Sequence, residues 1–182
     1  MVDSARFFLK EATADAHARL DALFSGFDLA NRADYARFLK AQAGAFFGVE
    51  AALDGAGADV VLPDWPARRR SHALRDDLIA LQEAVPEAMP EPLLPTPAAI
   101  LGAAYVIEGS RLGGAMLVRT VADTAPISFL APGNPLLWRS FVAILEKRLS
   151  SADERTEAAR SASAVFEIFT ASALRVLGAD RL

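Results

Sequence analysis

The chain has no cysteine and only two histidines among its 182 residues. The first absence excludes disulfides, thiolate metal sites and cysteine nucleophiles, and it fits a reducing compartment. The second leaves His17 and His72, too far apart in sequence to be the core of a di-iron centre, which needs several histidine and carboxylate ligands. An excess of positive charge is also missing. With 19 basic and 23 acidic residues spread along the chain, the formal charge is -4 and no basic stripe is offered to a phosphate backbone, so nucleic acid is not an expected partner. No apolar run reaches the roughly 20 residues that a membrane span needs. The longest uncharged run, residues 92–107, opens with prolines, and the N-terminal MVDSARFFLKEATADAH carries charges too often to hold a signal-peptide core. These absences predict a soluble, cytoplasmic protein with no membrane partner.

The 53% hydrophobic content is ample for one sizeable core, and the expected organisation is a single domain over residues 1–182. No segment shows the sustained alternation of a strand, and apolar residues recur at helical spacing almost everywhere, so the predicted class is all-α. Asp3 or Ser4 caps a first helix carrying Leu9, Thr13, Ala16, Leu20 and Leu23 and ending near Ser25-Gly26. Asn31 starts a second, stopped by Gly55-Ala-Gly57, and the two should form an antiparallel hairpin. A third helix carries Leu74, Leu78, Ile79 and Leu81. Pro86, Pro90, Pro92 and Pro95 then forbid regular structure. Thr96-Pro97 opens a helix over about 97–121, Asn134-Pro135 opens the next with Leu136, Leu137, Phe141, Ile144 and Leu145, and Ser151 with Glu154 forms a capping box. The last helix carries Val165, Phe166, Phe169 and Leu174 and stops at Gly178.

Two segments concentrate chemistry. In LKEATADAHARLD, His17 has Thr13, Leu20 and Phe24 as helical neighbours, which places the imidazole beside the apolar stripe, facing inward. Asp21, one turn on, can hold one ring nitrogen and leave the other for a metal. A core histidine satisfied by a carboxylate explains the same pattern. The second segment, GAAYVIEGSRLGGAML, carries Gly102, Gly109, Gly113 and Gly114 within a helix. Each interior glycine costs about 1 kcal/mol relative to alanine, so the three from 109 to 114 forfeit roughly 3 kcal/mol unless close approach or a bend returns it. Gly102, Gly109 and Gly113 share one face, and Gly113-Gly114 permit a kink. Either a flat ligand or a neighbouring helix would account for the bare face.

LKEATADAHARLD resembles the proximal-helix segment of the heme oxygenases, and YVIEGSRLGG resembles their distal-helix segment, especially in the bacterial, biliverdin-producing branch. The resemblance is close over these two stretches, which occur in the family's order, and it extends to the order and lengths of the helices. It implies an all-helical fold with heme held between a proximal and a kinked distal helix. It also implies His17 as axial ligand of the heme iron, Asp21 behind it, and Gly109, Gly113 and Gly114 as the distal glycines where backbone approaches the oxygen-binding side. Ser110 stands where mammalian-type members have an aspartate that organises distal water, and it is expected to line the pocket and help hold the proton network. Lys10, Tyr105 and Arg139 are the candidates for the heme propionates, and Phe166 and Phe169 for an aromatic wall, although core packing also explains the two phenylalanines.

The implied activity is oxidative cleavage of heme, both cofactor and substrate, to biliverdin with release of carbon monoxide and ferrous iron. O2 is the co-substrate and electrons come from a separate reductase or ferredoxin, since the chain has no nucleotide-binding fingerprint. A bilin acceptor such as a phytochrome is a conceivable partner. The alternative is a heme carrier or sensor that ligates through His17 without degrading its ligand. Thiaminase-like members of the fold rely on a cysteine, absent here.

Overall fold

The computed structural model describes residues 4–178; Asp3, one of the two expected caps, lies outside them. Among the described residues all regular structure is helical: α1 (Ala5–Ala12), α2 (Ala14–Phe24), α3 (Arg32–Gly55), α4 (Ala58–Val61), α5 (Ser71–Ala80), α6 (Pro97–Leu117), α7 (Pro135–Arg148) and α8 (Ala152–Gly178). Most starts follow from side-chain caps. Asn31 accepts from the amides of Ala33 and Asp34, Thr96 from Ala99, and Asn134 from Leu136, while Ser151 and Glu154 exchange bonds as a full capping box.

The expected single helix over the first 25 residues is two. Thr13 leaves helical geometry at φ -108° and ψ 5°, and its buried hydroxyl donates to the Leu9 carbonyl at 2.7 Å, a back-bond that bends helices. The expected hairpin is also loosened. The end of α2 and the turn after it meet α3 through Phe24 and Phe27 against Phe38, but along its length α2 lies on α8. α8 is the central element, with α1, α2, α3 and α6 packed around it. By length and composition it could cross a membrane, yet here its apolar face supplies Val165, Phe166 and Phe169 to the core. Ile79, Leu136 and Leu174 fit the periodic pattern but are exposed, because their helices turn a different face inward.

The proline segment after α5 is a strap laid across α3. Met89 donates to the Gly44 carbonyl at 2.8 Å, and a Cβ on Gly48 would collide with the Met89 carbonyl. Gly48 therefore lets the strap lie flush and deliver the chain to the start of α6, whereas Gly44 makes room chiefly for Ser172 of α8. At the other end of α6, the segment before α7 is tied down by buried Asp77, which accepts from the amides of Ser128 and Phe129, and Leu130 then packs on Gly114.

Candidate functional site

α2 and α6 both rest on α8 and run alongside one another in the same direction. At one end, the half-buried Tyr105 of α6 lies by Thr13 and Arg6. Burial pushes its phenol above the usual tyrosine range, with Arg6 and Thr13 opposing. At the other end, Leu117 and Thr120 share a depression of about 410 Å³ with Asp21, Phe24, Phe27 and Phe38. Four residues on from Thr13 is His17, and four on from Tyr105 is Gly109, so this register sets the histidine opposite the glycines across a cleft.

His17 is not buried as its sequence neighbours suggest. Its side chain is 60% exposed, because it follows Ala16 at the rim of the apolar stripe and turns its ring into the cleft. Nδ1 lies 3.0 Å from the Asp21 carboxylate, and the ring stands edge-on to Phe166 with centroids 5.6 Å apart. With Nδ1 and one ring edge fixed, Nε2 has no hydrogen-bonding partner among the described residues and is the free nitrogen. Such a histidine is oriented and available for ligation.

On the opposing wall the glycines divide. A Cβ on Gly102 would overlap the Ala158 backbone, 2.8 Å from its carbonyl carbon, so this glycine serves close packing of α6 on α8. Gly109 and Gly113 would meet nothing within 4 Å. The shared face expected for the three is thus covered by α8 at Gly102 and open at Gly109 and Gly113. Gly114 sits against Leu130 and is buried. The open pair provides a flat strip of backbone that no protein side chain fills.

The polar side chains of the EGSR stretch turn away from that strip. Glu108, fully buried, bonds Arg68 Nη1 at 2.6 Å and Arg111 Nε at 3.2 Å. Arg68, also fully buried, grips Asp64 through two bonds of 2.7 and 2.8 Å, and it keeps the Asp64 carboxyl below the usual carboxylate range. Arg111 donates to the Arg68 carbonyl. Ser110, expected in the pocket, is engaged elsewhere. Its hydroxyl donates to the Ile107 carbonyl at 2.7 Å and accepts from buried Arg70. Burial, with Arg111 nearby, lowers the Arg70 guanidinium to about 9, which leaves it charged at neutral pH.

Tyr105 and Arg6 meet at one end of the cleft, where Arg6 also lies 5.9 Å from the Trp138 ring centroid. Lys10 and Arg139 are exposed and make no polar contact among the described residues. Phe166 reaches the cleft, whereas Phe169 belongs to the core, 5.4 Å from Phe46. His72 is on the surface. Sequence reasoning missed Glu108, Arg68 and Arg70. The available signal was a lone glutamate interrupting the apolar first half of α6, which a buried helix tolerates only with a cationic partner. Among the described residues no three histidine, aspartate or glutamate side chains converge as a metal site, so His17 would ligate alone from the protein.

The arrangement can hold a flat, metal-centred molecule with one charged end. No family model matches the chain. A heme oxygenase of Xanthomonas campestris pv. campestris is 38% identical over 142 residues, 74% of this chain and 86% of that protein. Heme oxygenase PigA of Pseudomonas aeruginosa is 32% identical over 169 residues, 86% of this chain and 85% of that protein. The NO- and CO-bound heme oxygenase of Neisseria meningitidis superposes with a TM-score of 0.82 at 24% identity, over 98% of this chain and 94% of that one. The sequence similarity spans most of both curated relatives, and the architecture is shared nearly from end to end: the chain belongs to the heme oxygenase family.

Proposed function

We propose that the protein binds heme in the cleft between α2 and α6, with His17 Nε2 as the axial ligand, and opens it to biliverdin with release of carbon monoxide and ferrous iron. The observation that carries this reading is the pairing of an oriented, half-free histidine with an opposing strip of bare glycine backbone. The two ends of the cleft differ in the sense heme requires. Arg6 and Tyr105 suit the propionates, with exposed Lys10 of α1 a further candidate, and Phe24, Phe27 and Phe38 suit the apolar edge. An imidazole held at Nδ1 with Nε2 free, two uncovered glycines and this polarity together fit the group.

Heme supplies the iron that activates O2 and is itself the molecule oxidised. The chain's own residues set the conditions. Asp21 accepts from His17 Nδ1-H and fixes the ring so that Nε2 faces the cleft. Phe166 supports the imidazole edge and keeps water from that side. Gly109 and Gly113 offer backbone without side chains, which restricts the space opposite His17 and leaves water against the peptide groups as the route for protons. Ser110, bound to Ile107 and Arg70, shapes that wall from behind. Electrons come from a separate reductase or ferredoxin, since the sequence carries no glycine-rich nucleotide-binding fingerprint.

The test is absorption spectroscopy of the protein with one equivalent of hemin, followed by ascorbate or a ferredoxin-type reductase in air with catalase present. Decay of the Soret band with growth of a bilin absorption, abolished in His17→Ala, is the expected result. A Soret band that persists under effective electron supply would assign the protein to heme carriage or sensing. Failure to bind hemin would reject heme chemistry at this site.

A further inference from the structure

Arg70 is 7% exposed, and among the described residues no carboxylate bonds its guanidinium directly. The guanidinium carbon lies 4.8 Å from the ring centroids of both Phe46 and Phe129. Nη2 donates to the Ile107 carbonyl at 2.8 Å and to the Ser110 hydroxyl, and buried Nε has no partner. Glu50, the nearest acid on α3, is spent on main chain: its two oxygens accept from the amides of Arg70 and Ser71 at 2.7 and 3.0 Å. A buried cation without a bonded counter-charge is costly, and two aromatic faces offset only part of that cost. Its contacts do one identifiable thing. They take hold of α6 at residues 107 and 110, on either side of Gly109.

Resting on the heme reading above, we propose that Arg70 is a positioning residue for the distal face. It holds the Ser110 hydroxyl and the Ile107 carbonyl on the core side of α6, and it places a fixed positive potential behind Gly109 and Gly113. The first action keeps the serine out of the cleft, so the wall facing the ligand is peptide backbone. The second favours anions bound at the cleft opposite His17. Acting across one helix, about 10 Å at an effective dielectric near 20, one unit charge changes the affinity for a small anion by roughly tenfold. Around the guanidinium, burial and Arg111 lower its proton affinity while Glu108 and Glu50 raise it, so the charge is set by groups from α3 and α6.

The experiment uses the ferric hemin complex and azide as the probe anion, with hemin affinity measured separately by Soret titration. Arg70→Gln should weaken azide binding about tenfold while hemin affinity changes less than about threefold, and Arg70→Lys, which keeps the charge, should restore azide binding to within about threefold of the native protein. Ser110→Ala should change azide affinity less than about twofold, because its hydroxyl is turned away from the cleft. A folded Arg70→Gln protein with native azide affinity would overturn the proposal, as would a tenfold loss in Arg70→Lys or in Ser110→Ala. Should Arg70→Gln not fold, the lysine and serine variants decide by the same limits. Native protein that does not bind hemin would instead reject the functional reading on which the proposal rests.

Discussion

Replacing Gly109 by alanine should make the protein more stable and its hold on heme weaker. Gly109 lies inside α6 with helical backbone, and a Cβ built there meets nothing within 4 Å. The substitution therefore gains the helix-propensity difference, about 1 kcal/mol, and adds no clash in the apoprotein. For a protein of this size that corresponds to a rise of about 2–4 °C in Tm. Gly113→Ala should behave alike, and the double variant should gain about twice as much. With heme present the sign reverses. A methyl on either residue stands in the space proposed for the porphyrin, and overpacking of about 1–3 kcal/mol weakens hemin binding roughly five- to 150-fold. Gly102→Ala is the internal control, since its Cβ would overlap the Ala158 backbone and the whole contact of α6 with α8 would have to move. It should destabilise apoprotein and complex alike, by about 1–3 kcal/mol. Thermal unfolding of apoprotein paired with Soret titration reads both effects. A lower apoprotein Tm in Gly109→Ala, or undiminished hemin affinity, would refute the assignment of this strip as the heme-facing wall.

Three further outcomes are expected. Asp21→Asn should preserve the fold, because both Asp21 and His17 are more than half exposed, but it should weaken hemin binding about 10- to 100-fold by releasing His17 Nδ1, as Soret titration would show. Glu108→Ala leaves Arg68 buried with part of its pairing removed and should cost about 3–5 kcal/mol in denaturant unfolding; a loss under about 1 kcal/mol would contradict the buried pair. Glu146 caps the start of α1: burial raises its carboxyl, but the Ser4 hydroxyl and the Arg6 and Ala5 amides outweigh this and hold it below the ordinary value of 4.5. A depressed carboxylate contributes stability above its unfolded pKa and loses it as pH falls through the folded value. Tm measured between pH 6 and 3 should therefore fall in acid, and less steeply in Glu146→Gln.

Helix starts were legible because caps are local. Asn31, Thr96-Pro97, Asn134-Pro135 and the Ser151-Glu154 box each satisfy amides within three residues, so sequence alone contains both partners. Thr13 was not legible as a break, since a threonine within a periodic stripe looks like any half-apolar helical position. The glycines of α6 show where local reasoning stops. Helical phase puts Gly102 and Gly109 on one face, but only the placement of Ala158 on α8 determines which is covered. Arg68 and Arg70 were harder still. Three consecutive arginines suggest a solvated surface, and their partners Glu108, Ser110 and Ile107 lie some forty residues away in sequence. His17 was found by its neighbours but placed too deep, because spacing fixes an angle around the helix and not what lies beyond it.

The two walls of the cleft are joined to each other chiefly through α8 beneath them. A rigid plate ligated on one side and pressed against glycine on the other would act as a strut between α2 and α6. Ring opening would convert such a strut into a pliable open chain and remove the metal through which His17 is proposed to hold it. On that reading the reaction dismantles its own scaffold, and the chemistry itself generates looseness for the product to leave.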